Sequence, residues 1–468
     1  MGPRSTPSPV DRLSANDAMM LAVDRGAAPM NIAGLLVLAG DADVPADLLC
    51  RTLGDRVVGV PRLRQVLTRT PPGLGRPIWV RDPDFTASRH LDVRVVGGPA
   101  PGGPHHPGDE RVLLDAAADL VVEPLPRDRP LWRVRVLADP RGRARGVVVV
   151  LHHVVADGMG GLAALAALVD EAEPPALLAT DPGHRPPRPG DLARDAWAGR
   201  LRALRRIPAS LRELPEAARE LGLARTASSE PCSLLTPTGS RRRVDVAEVG
   251  LAELLSAARR RGASVNDLVV TAVSGALVAL LDRRGERLDA LVVSVPVSAR
   301  AQAEAGGLGN ATGVLPVRVP AVDDPAVRLD AVMAQSARLR AGQRGSSSAL
   351  LTPVFRLLAG AGLFQRFVDG QRLVHTFETN LRGPERPLHL GGARIAAVLP
   401  VVVNPGNVTV AFDVLSYDGR LRVVVVSDPD RVPEAAWLAG RLDQELAGLC
   451  RSPDVGHSGI GGPTTSSP

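Results

Sequence analysis

Three observations on the sequence predict an α/β protein of two units of similar size. Segments typical of strands alternate with segments typical of helices in both halves of the chain, as in sheets covered by helices. The chain has 468 residues, more than one domain usually holds. The stretch 182–189 carries four prolines and interrupts the alternation, as a linker would.

The first unit spans residues 11–181, and its elements follow from apolar runs and from apolar residues at helical spacing. The predicted strands cover 32–38, 78–80, 131–137 and 146–151. The predicted helices cover 44–53, 112–120 and 163–169. A linker rich in proline and arginine follows at 182–240, and its part 192–225 has helical periodicity.

The second unit spans residues 241–452 and shows the same mixture of patterns. Its predicted helices cover 249–261, 266–281, 327–342 and 433–449. Its predicted strands cover 290–297, 314–319, 396–403, 408–415 and 421–426. The termini, 1–10 and 453–468, are rich in serine, proline and glycine, and we expect them to be disordered.

The composition excludes some functions. Aromatic residues are only 2% of the chain, so a nucleic-acid binder that stacks bases on aromatic rings is not expected. The net charge of +6 is modest for this length, and every basic residue is arginine. The three cysteines are far apart and lack metal-ligand spacing, which fits a reducing compartment without a metal site.

The chain shows no pattern of a secreted or membrane-spanning protein. Residues 1–16 lack the apolar core of a signal peptide, and no window reaches about 18 uninterrupted apolar residues. We therefore expect a cytoplasmic protein, with a peripheral position on the inner membrane or on lipid droplets left open.

The residues that carry most chemistry follow a run of valines at 147–150 that reads as a buried strand. The predicted strand ends at the pair His152 and His153. After three further residues come Asp157 and Gly158. Glycines at 158, 160 and 161 are expected to break the strand before the helix at 163–169. An imidazole at the end of a buried strand can be held in one tautomer and act as a general base near neutral pH.

A purely structural interpretation of this motif is two core histidines followed by an Asp-Gly turn. A second pair, His105 and His106, provides a comparison within the chain. No strand precedes that pair, and Pro107 and Gly108 follow it, so we interpret it as a loop. We also found no Gly-x-Ser-x-Gly motif, which removes the main support for a serine hydrolase.

The histidine motif resembles the His-His-x-x-x-Asp-Gly signature shared by chloramphenicol acetyltransferase, condensation domains and the bacterial wax ester synthase/diacylglycerol acyltransferases. Seven further blocks, in order and at similar spacing, resemble the last of these families over roughly residues 11–450. These blocks lie at 13–19 with 29–32, 79–85 with 90, 129–132, 241–242 with 262–267, 296–300 with 309–310, 379–384 and 416–419.

The resemblance implies two chloramphenicol-acetyltransferase-like units with mixed sheets and flanking helices. An active-site tunnel would lie between them, reached by acyl-CoA and by an alcohol acceptor. The implied enzyme moves a fatty acyl group to diacylglycerol or a long-chain alcohol, with acyl-CoA as co-substrate and no cofactor. The sequence departs from the family at Arg382, where a small residue is expected before Gly-Pro, and at 183–240, which has no clear family pattern.

In such a reaction, His153 is our candidate general base. His152 either orients the site or is itself essential, and both roles remain open. We assign Asp157 to the structure, since a buried carboxylate needs a cation, for which Arg300 is the candidate. Gly158 would let the loop turn where a side chain would clash.

The tetrahedral intermediate carries an oxyanion that needs preorganised hydrogen-bond donors. Asn266 is a candidate donor, although Asn266 and Asp267 could instead cap a helix that begins at Leu268. Ser298 is a second candidate, with a structural role at the strand end as the alternative. Asn380 either lines the tunnel or belongs to a turn.

Two other functions compete with this interpretation. A condensation-type acyltransferase would take its acyl group from a carrier-protein thioester, and a catalytically silent relative would only bind lipid. The intact histidines and aspartate argue against the silent relative. The arginine-rich stretch 194–225 could lie on a membrane or be a solvated linker helix.

Overall fold

The computed structural model describes residues 10–24, 26–97, 107–170, 187–202, 229–298, 312–340, 362–403 and 406–451. The helices are α1 (Ala15–Val23), α2 (Ala46–Val57), α3 (Pro107–Val121), α4 (Gly158–Ala166), α5 (189–202), α6 (Leu251–Arg260), α7 (Val265–Arg283), α8 (Pro325–Arg340), α9 (Phe364–Asp369) and α10 (Ala435–Arg451). The strands are β1 (Asn31–Leu38), β2 (Gln65–Thr68), β3 (Ile78–Arg81), β4 (Leu91–Val95), β5 (Trp132–Ala138), β6 (Ala144–His152), β7 (Arg243–Gly250), β8 (Ala290–Ser298), β9 (Thr312–Pro320), β10 (Thr376–Arg382), β11 (His389–Leu390), β12 (Ala393–Val402), β13 (Val410–Tyr417) and β14 (Arg420–Ser427).

The first sheet has six strands in the order β11-β12-β1-β6-β5-β4. Strand β6 pairs antiparallel with β1 on one side and with β5 on the other, and β4 runs parallel to β5. Because β6 lies inside the sheet, its valines at 147–150 are buried on both faces. Its last residue, His152, lies opposite Asn31 of β1.

The second sheet also has six strands, in the order β7-β14-β13-β10-β8-β9. Strand β10 runs parallel to both of its neighbours, β13 and β8, while the other pairs are antiparallel. Its pairing with β8 is limited to Thr376 opposite Val293 and Phe377 opposite Ser294. Both sheets are therefore mixed, and the predicted fold class is confirmed by this architecture and by the structural relatives described below.

Two strands from the second half, β11 and β12, complete the first sheet. Strand β12 pairs antiparallel with β1, from Ile32 opposite Val402 to Leu38 opposite Ile395. The apolar run at 396–403 predicts this strand but does not specify its partner, since periodicity reports burial and not pairing. Val402 also receives support from the second sheet, because its N–H donates to Oδ2 of Asp413 at 2.8 Å.

Helix α7 is the core helix of the second half. It has 19 residues and is apolar enough to cross a membrane by length and composition, but 78% of its most apolar window is buried inside the protein. Its apolar residues share one core cluster with Phe412 and Val414 of the second sheet and with Leu442 and Leu446 of α10. Burial within the fold thus accounts for its hydropathy.

Two predicted helices begin earlier than expected. The boundary predicted at 163 is wrong, because α4 begins at Gly158 and ends at Ala166. Asp157 caps this helix, so the glycines start it instead of only breaking the strand. Helix α3 begins at Pro107, a residue that the first turn of a helix tolerates well. The predicted loop at 105–106, both termini and most of the linker lie outside the described residues.

Candidate active site

The histidine pair lies where the buried strand β6 ends. The N–H of His152 donates to the carbonyl of Leu131 at 3.0 Å, and the N–H of Val155 donates back to the carbonyl of His152 at 2.8 Å. The second bond closes a turn directly after the strand. The central strand and this turn together hold the backbone of both histidines in one place.

His153 is half-buried, and its backbone N–H donates to the carbonyl of Met30 at 2.8 Å. Burial lowers the pKa of its imidazole, and this outweighs the opposing fields of Asp157 and Asp17. The ring is therefore neutral at pH 7, which is the form that can accept a proton.

His152 is buried, and both of its ring nitrogens face protein atoms. Nδ1 accepts the backbone N–H of Val154 at 3.1 Å, so the proton of the neutral ring is on Nε2. Nε2 lies 3.1 Å from Oδ2 of Asp24. Burial lowers the pKa of His152 to about 3, and the positive charge of Arg127 acts in the same direction. This ring is thus an internal hydrogen-bonding group.

Asp157 is buried and caps helix α4. Its Oδ1 accepts the N–H of Gly160 at 2.8 Å, and its backbone carbonyl accepts the N–H of Gly161 at 2.7 Å. These contacts provide the carboxylate with hydrogen bonds at the positive end of the helix. Arg300, the predicted ion-pair partner, lies outside the described residues, so that pairing stays a prediction.

Gly158 lies at a position where a larger residue would crowd its neighbours. Its φ is outside the left-handed region, so the turn does not require glycine for backbone freedom. A Cβ at this position would lie 3.3 Å from Cδ2 of Leu381, which comes from β10 of the second sheet. The loop after the histidines is therefore in direct contact with the second half of the molecule. Arg382, the departure from the family pattern, is exposed and pairs with Glu385.

Helix α7 begins with a complete capping box. Ser264 is the N-cap: its hydroxyl accepts the N–H of Asp267 at 3.1 Å, and the carboxylate of Asp267 accepts the N–H of Ser264 at 2.8 Å. The expected helix start at Leu268 is therefore wrong, since the helix begins at Val265. Asp267 also accepts the hydroxyl proton of Ser336 at 2.6 Å, so its role is structural.

Asn266 and Asn380, two predicted site residues more than 100 positions apart, are hydrogen-bonded to each other. Nδ2 of Asn380 donates to Oδ1 of Asn266 at 2.8 Å. With its oxygen occupied, the amide group of Asn266 can donate its N–H bonds to a third partner. The side chain of Ser298, at the end of β8, lies outside the described residues.

Glu378 is a buried carboxyl that the sequence analysis missed. It lies two residues before Asn380 on β10 and so on the same face of the strand. Its side chain is 0% exposed, and neither oxygen has a hydrogen-bond partner within the described ranges. Burial, with a smaller contribution from the nearby Asp413, raises the pKa of Glu378 to about 8.

Asp413 lies on the neighbouring strand β13, and its pKa is also raised by burial, to about 7. Two hydrogen bonds partly oppose this shift, from the hydroxyl of Thr379 at 2.9 Å and from the N–H of Val402 at 2.8 Å. The alternation of apolar and polar residues along a strand could not have predicted that these two carboxyls are buried. Both faces of this sheet are covered, so the alternation is lost.

Asp24 is the second group that the sequence analysis missed. Its buried carboxylate forms an ion pair with Arg127 besides its contact with His152. Only the three-dimensional arrangement reveals this, since Asp24 and Arg127 are 103 residues apart. Trp132 on β5 packs beside the motif strand, and its indole N–H donates to the carbonyl of Leu63 at 2.7 Å. In the part of the chain that the structure describes, no three potential metal-binding side chains come together.

Two family models match the chain in sequence. The model described as the wax ester synthase/diacylglycerol acyltransferase (WS/DGAT) catalytic domain matches residues 13–269. The model described as the WS/DGAT C-terminal domain matches residues 308–449. The first match includes the histidine motif and Asn266, and the second includes Asn380.

Relatives agree with the family models. A Mycobacterium tuberculosis protein named as a probable diacylglycerol O-acyltransferase is 30% identical over 431 residues, which cover 89% of this chain and 90% of that protein. Among solved structures, the wax ester synthase/diacylglycerol acyltransferase from Marinobacter aquaeolei VT8 is similar, with a TM-score of 0.65, 20% identity, and coverage of 94% of this chain and 98% of that chain.

A condensation domain shares the fold as well. The first condensation domain of the calcium-dependent antibiotic synthetase is similar with a TM-score of 0.60 and 22% identity, covering 95% of this chain and 97% of that chain. At this identity the likeness establishes the fold alone. The chain thus shares its fold with this condensation domain as well as with the Marinobacter protein.

Proposed function

Because the chain belongs to the wax ester synthase/diacylglycerol acyltransferase family and is an acyltransferase, we propose that it moves a fatty acyl group from acyl-CoA to a lipid hydroxyl. The acceptor is diacylglycerol or a long-chain alcohol, and the product is triacylglycerol or wax ester. The observation that carries the proposal is His153, a half-buried neutral imidazole at the end of the central strand.

His153 acts as the general base. The acceptor hydroxyl attacks the thioester carbonyl, and its proton passes to the imidazole of His153 as the new C–O bond forms. The tetrahedral intermediate then collapses, the C–S bond breaks, and the CoA thiolate takes the proton from the imidazolium. A positioned base of this kind is worth about 100- to 10,000-fold in rate. No covalent enzyme intermediate is needed.

Asn266 is our candidate donor to the oxyanion of the intermediate. Asn380 occupies its side-chain oxygen, which orients the amide N–H bonds away from Asn380. Asn266 lies in the first turn of α7, where the helix dipole also favours negative charge. In this proposal Asn380 positions Asn266 and need not touch the substrate, and the two halves of the chain each supply one catalytic group.

The experiment that tests this function follows the release of free thiol from palmitoyl-CoA by the purified protein. Dioleoylglycerol or hexadecanol is added as acceptor, and the ester product is identified by mass spectrometry. We expect thiol release that depends on the acceptor and yields the matching ester. Release without an ester would contradict the proposal, and transfer from a carrier-protein thioester alone would establish the condensation-type alternative.

A lipid acceptor requires access to a lipid surface, and helix α5 offers a candidate contact. Trp197 and Leu201 lie one turn apart on α5 and are 67% and 50% exposed. Arg200 packs over the ring of Trp197, with its Cζ 5.3 Å from the ring centroid. Exposed apolar side chains next to arginines suit an anionic bilayer surface.

Flotation with anionic liposomes tests this contact. We expect the variant with Trp197→Ser and Leu201→Ser to float less than the wild-type protein. The matched control replaces Leu48 and Val95, two exposed apolar residues of the first half, with serine. Equal flotation of all three proteins would remove α5 from the account.

A further inference from the structure

Asp24 follows the last turn of α1 and carries a buried charge. It is the C-cap of that helix, and its side chain is only 7% exposed. An ionised carboxylate at such a place costs several kcal/mol unless charged or hydrogen-bonding groups surround it. Arg127 supplies the opposite charge. The other two contacts of Asp24 lead to the histidine motif.

The first of these contacts places a carboxylate beside the ring of His152, at a charge-contact distance but outside hydrogen-bond geometry. Oδ2 of Asp24 lies 3.1 Å from Nε2, while Nδ1 on the other side of the ring accepts the N–H of Val154 at 3.1 Å. A carboxylate beside Nε2 favours the tautomer with the proton on that nitrogen. That tautomer leaves Nδ1 free to accept the backbone N–H that follows His153. The carboxylate therefore supports the turn in which the second histidine is held.

The second contact reaches the backbone of His153 itself. Oδ1 of Asp24 accepts the N–H of Met30 at 2.7 Å. The carbonyl of Met30 in turn accepts the N–H of His153 at 2.8 Å. A single carboxylate thus holds one histidine through its ring and the other through the backbone of Met30.

We propose that Asp24 is a positioning residue for the histidine pair, because its carboxylate orients the ring of His152 and the backbone of His153 together. The inference rests on the proposed function, since it assigns Asp24 a part in placing the base. Loss of the carboxylate lets the His152 ring change tautomer or rotate, and the turn that carries His153 shifts with it. A misplacement of about 1 Å at the reacting atoms costs on the order of 100-fold in rate.

The test compares Asp24→Asn with Arg133→Gln, which breaks a different ion pair of the same half, that of Arg133 with Glu123. The Asn side chain keeps the shape and can still accept the N–H of Met30, but it removes the charge beside Nε2. We expect kcat to fall about 100-fold while the KM for palmitoyl-CoA changes little, because the carboxylate does not touch the substrate. Arg133→Gln leaves Asp24, Arg127 and the carboxylate beside His152 in place, so kcat should stay near the wild-type value. Asp24→Glu, which restores the charge, should recover part of the lost kcat.

A spectroscopic measurement separates positioning from simple stabilisation. Nitrogen-15 NMR of histidine-labelled protein reports which ring nitrogen of His152 carries the proton. We expect Nε2–H in the wild-type protein and in Arg133→Gln, and a mixture of tautomers in Asp24→Asn. This readout needs no substrate, so it decides the inference even if the wild-type protein fails to transfer the acyl groups offered.

Two results would overturn the inference. One is a wild-type kcat in Asp24→Asn, or an equal loss of kcat in Arg133→Gln, which would show that breaking any ion pair of this half lowers kcat. The other is an unchanged tautomer of His152 in Asp24→Asn.

Discussion

The histidine side of the site is the part that holds the two histidines of the motif. There the carboxylate of Asp24 is buried against the guanidinium of Arg127. The asparagine side, across the contact between the halves, buries the carboxyls of Glu378 and Asp413, and neither of these takes part in an ion pair among the described residues. All three carboxyls are buried, with Asp24 7%, Glu378 0% and Asp413 2% exposed, whereas the side chain of Arg127 is 53% exposed. The two sides differ in whether a positively charged side chain lies beside the buried carboxyl group.

This difference determines the protonation state of each side. A carboxylate beside a guanidinium can stay ionised inside the protein, and it can then orient an imidazole. A carboxyl without a cation keeps its proton instead, which is why burial raises the pKa of Glu378 to about 8 and that of Asp413 to about 7. The histidine side is thus built around a fixed charge, and the asparagine side depends on neutral groups.

The largest effect expected on the asparagine side comes from Asn266→Ala. Loss of an oxyanion donor lowers kcat by about 100- to 1,000-fold. The matched variant Asn380→Ala removes only the partner that orients Asn266, so its effect should be smaller, about 10-fold. Steady-state kinetics with palmitoyl-CoA and each acceptor measure both variants. Equal, small effects would show that the asparagines only connect β10 to α7.

A smaller effect, on stability, is expected from Glu378→Gln. The folded protein keeps the proton of Glu378 up to about pH 8, whereas the unfolded chain releases it near the ordinary value of 4.5. Its contribution to stability is therefore fully present below about pH 4.5 and is lost as pH rises through 8. Glutamine has no such proton, so the variant should lose roughly 4 kcal/mol less stability than the wild-type protein as the pH rises from 5 to 8.5.

Denaturant unfolding at several pH values measures this change. Glu385→Gln is the control, because Glu385 is an exposed residue only seven positions away. We expect the control to follow the wild-type curve. Parallel curves for Glu378→Gln and the wild-type protein would mean that Glu378 is compensated by a group that its contacts do not reveal.

The sequence predicts much of the histidine side and little of the asparagine side. A run of valines followed by two histidines specifies both the buried strand and the position of His153 at its end. The Asn-Asp block likewise indicates the start of α7, although Ser264 and not Asn266 proves to be the cap. Local pattern suffices here, because strand burial and helix capping are local properties.

Contacts between distant segments could not be predicted in this way. The pairing of β12 with β1, the contact of Asp24 with His152 and the hydrogen bond between the two asparagines all join residues far apart in the chain. A single sequence records the hydrophobicity of each segment but not the partner that it meets. Glu378 shows the same limit, since a carboxyl in a strand gives no sign that both faces of its sheet are covered.

The most direct test of the account is ester formation by His153→Ala. The control is His375→Ala, because His375 is a buried histidine whose ring nitrogens both bond to backbone groups of the second half, the N–H of Val292 and the carbonyl of Glu230. Both variants should lose stability, but only His153→Ala should lose ester formation per folded molecule, by about 100- to 10,000-fold. Ester formation by folded His153→Ala at the wild-type rate would contradict the account.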